Sequence, residues 1–193
     1  MYPWKHHRRF NSYTEYIRNA FGGRIQKVVV DAGFTCPNRD GTIGYGGCIY
    51  CDNRAFNLNV RRGLKESPRQ QIKDGIAQVK EKFGIDKIIA YFQAYSNTYG
   101  DVACLKEQYD VIRDFPEIVG LAIGTRPDCV DQEKLDLVES YSKDYMVWIE
   151  YGLQSANNET LKRINRGHTV EQFLKAVEMT KERNISICVH LIL

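Results

Sequence analysis

Five short apolar runs alternate along this chain with longer polar segments, and this rhythm decides the fold class. The runs are rich in valine, isoleucine and aromatic residues, as buried strands are, and they cover residues 27–31, 87–92, 118–123, 146–150 and 185–193. Strands that alternate with helices pair in parallel and pack the helices against the sheet. The pattern therefore predicts an α/β fold, and it fits both an open doubly wound sheet and a barrel-type sheet.

The segments between the runs carry the end signals of helices. Ser67 followed by Pro68 begins a helix that ends near Gly84. Thr169 with Gln172 three residues later fits a capping box at the start of the last helix. The other predicted helices cover residues 101–114, 131–142 and 157–165, and the last covers 170–183. Residues 52–66 are predicted to form a polar, basic loop.

The N-terminal part of the chain differs in charge from the rest. Residues 1–65 carry 11 Lys or Arg against 4 Asp or Glu, a net charge of +7, whereas the remainder has a net charge of −4. This basic part either attracts a phosphate-bearing partner or is an ordinary solvated surface. Residues 1–26 are predicted to form an N-terminal arm with a short helix over 12–21, and residues 27–193 to form the core.

Composition and the N-terminus exclude several classes of protein. The 193 residues are 43% hydrophobic and 26% charged, which excludes disordered and fibrous chains. No apolar run approaches the roughly 18 residues that a membrane span needs. The N-terminus is basic and lacks the apolar stretch of a secretory signal, so a cytoplasmic location without membrane contact is expected.

Three of the six cysteines follow the first run in a glycine-rich loop. Cys36, Cys48 and Cys51 have the spacing C-x11-C-x2-C, whereas the other three lie in segments where a lone cysteine is usually a small buried hydrophobe. Three thiolates on one loop can hold zinc or an iron–sulfur cluster. Structural zinc normally takes a fourth Cys or His, and no histidine here has finger-like spacing. The spacing favours the cluster and leaves zinc open.

Polar side chains recur just after the predicted strands. Cys36 follows the first run, and the second, third and fourth runs are followed by Gln93, Arg126 and Gln154. In α/β folds the chemistry lies at the carboxyl ends of the strands. We therefore expect these residues to share one site.

A first strand followed by three cysteines, the last preceded by an aromatic residue, resembles the radical S-adenosylmethionine (SAM) superfamily. The common spacing there is C-x3-C-x2-C, and the longer spacing here resembles a bacterial subgroup called YhcC- or YtqA-like, which is similar to the radical subunit of Elongator. Matching stretches lie at residues 31–41, 46–51, 91–99, 124–129, 150–155 and 164–169. The resemblance implies a partial (βα)6 TIM-type barrel. Because that family continues with a sixth strand, the chain is expected to be truncated after the fifth strand, with an exposed apolar end that favours aggregation.

The resemblance also implies the cofactors and the residues that hold them. Cys36, Cys48 and Cys51 would bind a 4Fe–4S cluster, and SAM would chelate the fourth iron. The implied SAM contacts are Tyr50 at the adenine, Gln93 where many relatives have a Gly-Gly-Glu stretch, Gln154 near the ribose and Arg166 at the carboxylate.

Each of these polar residues also has a structural explanation. Tyr50 could simply pack, Gln154 could form hydrogen bonds at a strand end, and Arg166 could be a cation at a helix end. Asn97 and the Arg126-Pro127-Asp128 turn suit a strand–helix connection as well as a cofactor. His190 either points into the barrel or is a satisfied core histidine.

The implied reaction is the reductive cleavage of SAM to a 5′-deoxyadenosyl radical. An electron donor such as flavodoxin or ferredoxin would supply the electron, and tRNA would be the substrate, through modification of its wobble uridine. Two alternatives stay open: a non-catalytic module that binds an iron–sulfur cluster or zinc, and a radical enzyme with a non-RNA substrate.

Overall fold

The computed structural model describes residues 2–4, 6–52 and 66–193. Nearly all of the predicted loop over residues 52–66 lies outside this part of the chain. The strands are β1 (Gln26–Val30), β2 (Ile88–Phe92), β3 (Ile118–Thr125), β4 (Met146–Gln154) and β5 (Ser186–Leu191). The α-helices are α1 (Tyr13–Phe21), α2 (Pro68–Phe83), α3 (Val102–Asp110), α4 (Gln132–Ser140), α5 (Asn158–Arg163) and α6 (Val170–Thr180).

The strands form one parallel sheet in the order β1-β2-β3-β4-β5. A doubly wound sheet reverses its strand order at a switch point, and this sheet does not. Consecutive parallel strands that each follow a helical crossover are the arrangement of a (βα) barrel. The α/β partial-barrel prediction is confirmed, and the doubly wound alternative is wrong.

The two faces of the sheet are covered by different elements. Alternate residues of each strand pack outward against the helices between the strands, for example Val30, Phe92 and Ile149. The opposite residues form a smaller cluster on the inner face, where Ile17 and Phe21 of α1 cover the amino-terminal half of the sheet. The inner face therefore remains accessible at the carboxyl ends of the strands. Within the described residues, no helix has the length and apolar character needed to cross a bilayer.

The helix ends agree with the sequence signals. The Ser67 side chain accepts a hydrogen bond from the backbone of Gln70, and Gly84 ends α2 in the left-handed region with φ 61°. The capping box of Thr169 and Gln172 is present at the start of α6. α1 ends at Gly22 with φ 69°. The division of the chain into an arm and a core stays a prediction.

Gly75 allows α2 to approach β1 closely, and its replacement is expected to destabilise the fold. A Cβ at this position would lie 2.3 Å from Val28 Cγ1, closer than side-chain atoms pack. Gly75→Ala gains about 1 kcal/mol of helix propensity but loses about 1–3 kcal/mol to overpacking. We expect a net loss of stability in urea unfolding.

The control is the same substitution in a Val28→Ala background, which removes the two methyl groups that the new Cβ would meet. In the Val28→Ala background, the loss of stability caused by Gly75→Ala should become smaller or turn into a gain. A Gly75→Ala variant as stable as the wild type would contradict the prediction and show that α2 and β1 can move apart without a loss of stability.

Candidate site at the carboxyl ends of the strands

One cleft at the carboxyl ends of the strands brings together the three cysteines of the loop and the four residues that the family resemblance implies as SAM contacts. Its cavity volume is about 230 Å3. The cleft is lined by Cys36, Cys48, Cys51, Tyr50, Gln93, Gln154 and Arg166, together with Arg126 and His190. Asn97 and Asp128 lie behind this lining and hold neighbouring groups.

The cysteine loop is folded by its own backbone hydrogen bonds. The Cys36 carbonyl accepts from the amides of Arg39 (2.8 Å) and Asp40 (3.2 Å), and the Cys51 amide donates to the Cys48 carbonyl (3.0 Å). Gly46 and Gly47 turn the chain between them with φ 79° and 82°, a region that glycine adopts without strain. The fold leaves Cys36 and Cys48 buried and Cys51 half-buried at one wall of the cleft.

The segment after α5 clamps this loop from the side. Asn38 Nδ2 donates to the Asn165 carbonyl (2.6 Å), and Asn165 Nδ2 donates to the Gly47 carbonyl (2.8 Å). The Ile49 amide also donates to the carbonyl of Ile164 (3.1 Å). Asn165 has φ 51°, a strained conformation for a non-glycine residue that these contacts hold in place.

Each cysteine of the loop has an arginine beside its sulfur. Arg126 Nη1 lies 3.9 Å from Cys36 Sγ, and Arg166 Nη1 lies 3.5 Å from Cys48 Sγ. Burial and the Cys48 thiol raise the pKa of Cys51, and a hydrogen bond from the Arg39 guanidinium opposes that shift. Each of these guanidinium groups can donate a hydrogen bond to a sulfur that binds a metal. The sequence did not single out Arg39, because its position next to the sulfur depends on the fold of the loop.

Arg126 is held in a buried ion pair. Its Nε and Nη2 donate to the two carboxylate oxygens of Asp128 at 2.9 and 2.8 Å, and both side chains are almost completely inaccessible. Its Nη1 also donates to the Arg166 carbonyl at 2.7 Å. The Arg-Pro-Asp turn therefore stabilises the connection after β3 and at the same time places a cation next to Cys36.

Gly152 makes room for Arg166 at the inner face of β4. The Gly152 carbonyl accepts from Arg166 Nε (3.2 Å) and Nη2 (2.6 Å). A Cβ on Gly152 would lie 2.7 Å from Arg166 Nη2 and 2.6 Å from Gln154 Nε2. Gln154 ends the strand with φ 72°, which turns the chain at a register shift between β4 and β5.

Gly152→Ala is expected to displace both of these side chains from the cleft. We expect a loss of about 1–3 kcal/mol of stability from overpacking, and a SAM affinity about tenfold lower, equivalent to 1.4 kcal/mol. Equilibrium dialysis of SAM on the cluster-loaded protein measures the affinity. Gly100→Ala is the matched control, because Gly100 is outside the lining of the cleft and its Cβ would stay 3.4 Å or more from its neighbours. A Gly152→Ala variant with unchanged SAM affinity would contradict the expectation, implied by the family resemblance, that Arg166 and Gln154 contact SAM.

A charged network lies on the inner face below the cysteine loop. Glu150 is buried in β4, where Lys27 Nζ contacts Oε1 at 2.5 Å and His190 Nε2 contacts Oε2 at 2.9 Å. Burial raises the pKa of Glu150, but the hydrogen bonds from His190 and Lys27 outweigh it and lower the pKa to about 2. Hydrogen bonds with Cys188 and Glu150 raise the pKa of His190 to about 9. His190 thus points into the barrel and is part of this network.

The comparisons with known proteins agree with this geometry. Residues 36–193 match the family described as the Radical SAM superfamily. Protein YhcC of Escherichia coli (strain K12) is 37% identical over 185 residues, which cover 94% of this chain and 58% of that protein. Uncharacterized protein YtqA of Bacillus subtilis (strain 168) is 33% identical over 185 residues, which cover 96% and 57%. The chain therefore spans a little under three fifths of the length of these curated relatives.

A solved structure and a shorter sequence match extend the comparison. The archaeal Elp3 of Methanocaldococcus infernus aligns with a TM-score of 0.58 and 22% identity, over 87% of this chain and 38% of that one, which shows a shared fold. A tRNA uridine(34) acetyltransferase of the same organism is 38% identical over 74 residues, 38% of this chain and 13% of that protein. The family match covers most of the chain and includes all three cysteines of the loop. The chain belongs to the radical SAM superfamily.

Proposed function

We propose that this chain forms the cluster- and SAM-binding part of a radical SAM enzyme. Cys36, Cys48 and Cys51 hold a 4Fe–4S cluster, and SAM binds beside it in the cleft. A bound cluster of this kind supplies the electron for reductive cleavage of SAM to methionine and a 5′-deoxyadenosyl radical. The observation that carries the proposal is the set of three thiols on one wall of the cleft, each beside an arginine.

The donor set fits the cluster better than it fits structural zinc. Three thiolates leave one iron of a four-iron cluster without a protein ligand, which is the position that SAM occupies by its amino and carboxylate groups. Structural zinc needs a fourth protein ligand. Among the described residues, guanidinium groups, the Asn38 amide and the Tyr50 hydroxyl lie beside these sulfurs as hydrogen-bond donors.

The polar residues of the cleft are suited to hold SAM. Arg166 uses three of its five N–H groups on Gly152 and Cys48, and the others can bind a carboxylate as a fork. Tyr50 keeps 39% of its surface exposed beside Cys51 and offers a ring face to the adenine. Gln93 and Gln154 line the same cleft and bring amide groups to the ribose and the amino acid moiety.

A tRNA wobble uridine is the substrate in this proposal. It is supported by the partial match to a tRNA uridine(34) acetyltransferase and by the net charge of +7 over residues 1–65, which suits a phosphate backbone. A flavodoxin or ferredoxin serves as the electron donor. The thiolates must stay reduced, which agrees with the expected cytoplasmic location.

Anaerobic reconstitution tests the chemistry. The expected result is about four irons and four sulfides per chain and the formation of 5′-deoxyadenosine from SAM after reduction with dithionite. Stoichiometric zinc without that product would overturn the enzyme and support a zinc-bearing binding module instead. Cys104→Ser, a thiol on α3 outside the cleft, is the matched control and should reconstitute as the wild type does.

The substrate is tested separately by mass spectrometry of tRNA nucleosides from a strain that lacks the gene. We expect a modified wobble uridine to disappear and its precursor to accumulate. An unchanged nucleoside profile in a strain whose protein cleaves SAM would overturn tRNA as the substrate and leave the radical chemistry intact.

A further inference from the structure

A second group of metal-binding side chains lies on the inner face of β4 and β5. Glu150, Cys188 and His190 each offer one ligand atom, and these atoms all lie within 4.8 Å of one another. The parallel register pairs Glu150 with Cys188, and His190 follows two residues later on the same face of β5. Neighbouring strands thus bring together a carboxylate, a thiol and an imidazole, none of which belongs to the cysteine loop.

We propose that Glu150, Cys188 and His190 bind a zinc-class divalent cation in the barrel, with an open coordination position towards the cleft. Carboxylate, thiolate and imidazole are the three ligand types that zinc takes from proteins. Three protein ligands with a free fourth position are the arrangement of catalytic zinc sites, where the metal polarises a bound oxygen. Glu150 and His190 also line the cleft, so an oxygen of a substrate could reach the metal there.

The distances require only small movements of the side chains. In tetrahedral zinc sites the donor atoms lie about 3.3 to 3.6 Å apart, as bond lengths of about 2.0 to 2.3 Å imply. Glu150 Oε2 and His190 Nε2 are 2.9 Å apart, and the sulfur of Cys188 completes the triangle within 4.8 Å. A shift of about an ångström converts the hydrogen-bonded triangle into a coordination site.

Lys27 and the neighbouring tyrosines prepare Glu150 for such a role. Lys27 Nζ contacts Oε1 of Glu150. The other oxygen, Oε2, faces His190 and can bind the metal. Tyr91 forms a hydrogen bond with the same carboxylate, and Lys27 lies over the rings of Tyr91 (4.3 Å) and Tyr13 (5.5 Å). These contacts orient the carboxylate, as outer-shell partners do around metal ligands.

The test measures metal binding with no need for SAM cleavage. A Cys36→Ser/Cys48→Ser/Cys51→Ser background removes the other thiolates of the cleft, and cobalt(II) serves as a spectroscopic probe that zinc should displace. We expect one equivalent of cobalt with thiolate-to-cobalt charge-transfer absorption. Cys188→Ser should abolish the absorption, His190→Gln should weaken binding by about 10–100-fold or more, and Cys104→Ser should change neither.

Two outcomes overturn the proposal: no charge-transfer band in this background, or a band that persists in Cys188→Ser. If circular dichroism shows that the background does not fold, zinc is instead measured in the wild type and Cys188→Ser after the cysteine loop has been filled with iron and sulfide. Equal zinc contents of these two proteins would then overturn it, and Glu150, Cys188 and His190 would form a hydrogen-bonded network only. Because neither readout involves SAM, failure here is distinct from failure of the proposed function.

Discussion

Replacement of any one of Cys36, Cys48 and Cys51 by alanine is expected to abolish both cluster retention and SAM cleavage. Loss of a ligand removes a metal–sulfur bond and leaves an arginine facing an empty position. Even loss of an outer-shell partner costs about 10–100-fold in metal affinity, so loss of a direct ligand should cost about 100-fold or more. Iron and sulfide content, the electron paramagnetic resonance signal of the reduced protein and 5′-deoxyadenosine formation measure the effect.

When no cluster is bound, the three variants should differ in stability. Cys36 and Cys48 are buried, whereas Cys51 is half-buried at the cleft, so Cys51→Ala should leave the unfolding of the cluster-free protein nearly unchanged. Cys104→Ala on α3 is the control and should retain the wild-type iron content. Full iron content in any of the three loop variants would show that the residue is not a cluster ligand.

Replacement of Asp128 by asparagine is expected to cause a large loss of stability. The carboxylate is the partner of Arg126 in a pair whose side chains are 4% and 2% exposed. Removal of one charge of a buried pair typically costs about 3–5 kcal/mol, because the remaining charge is left without compensation in a poorly solvated place. Urea unfolding of the cluster-free protein measures the loss of stability without any contribution from bound metal.

The double variant Arg126→Met/Asp128→Asn separates an uncompensated charge from a general loss of packing. Removal of the charge of Arg126 should recover part of the stability lost in Asp128→Asn, although the hydrogen bond of Arg126 to the Arg166 carbonyl is lost as well. An Asp128→Asn variant within about 1 kcal/mol of the wild type would mean that water reaches Arg126 and compensates its charge.

The sequence predicted the elements well because their signals are local. The helix ends at Ser67, Gly84 and Thr169 depend on residues a few positions away, and the structure confirms them. β4 was predicted to end at Glu150, but it continues to Gln154. In a sequence, a charged residue inside a strand looks like the end of that strand, because the residues that compensate its charge cannot be identified. The partners here are Lys27, 123 residues away, and His190, 40 residues away.

Of the residues that line the cleft, the residue pattern alone predicted only those whose polar side chains come after a strand. Gln93 and Gln154 lie at strand ends, and Cys36 lies in the loop that follows β1. The rule that parallel strands place their carboxyl ends together predicted that these residues share one site. The arginines beside the sulfurs could not be paired with their cysteines in advance. Those contacts join residues up to 118 positions apart and depend on the exact bend of the loop. A sequence can indicate the type of site, but the charges around it emerge from tertiary packing.

The clamp between the cysteine loop and the segment after α5 has a consequence for biosynthesis. Cys48 is translated 118 residues before Arg166, the cation that faces its sulfur. At a rate of about 5–20 residues per second, the ribosome needs about 6 to 24 s for this stretch. During that interval the nascent chain carries its thiols without the surface that later shields them. In the proposed function, the clamp around the cluster-binding loop can form only after residues 164–166 have been translated, and until then the thiols have to be kept reduced.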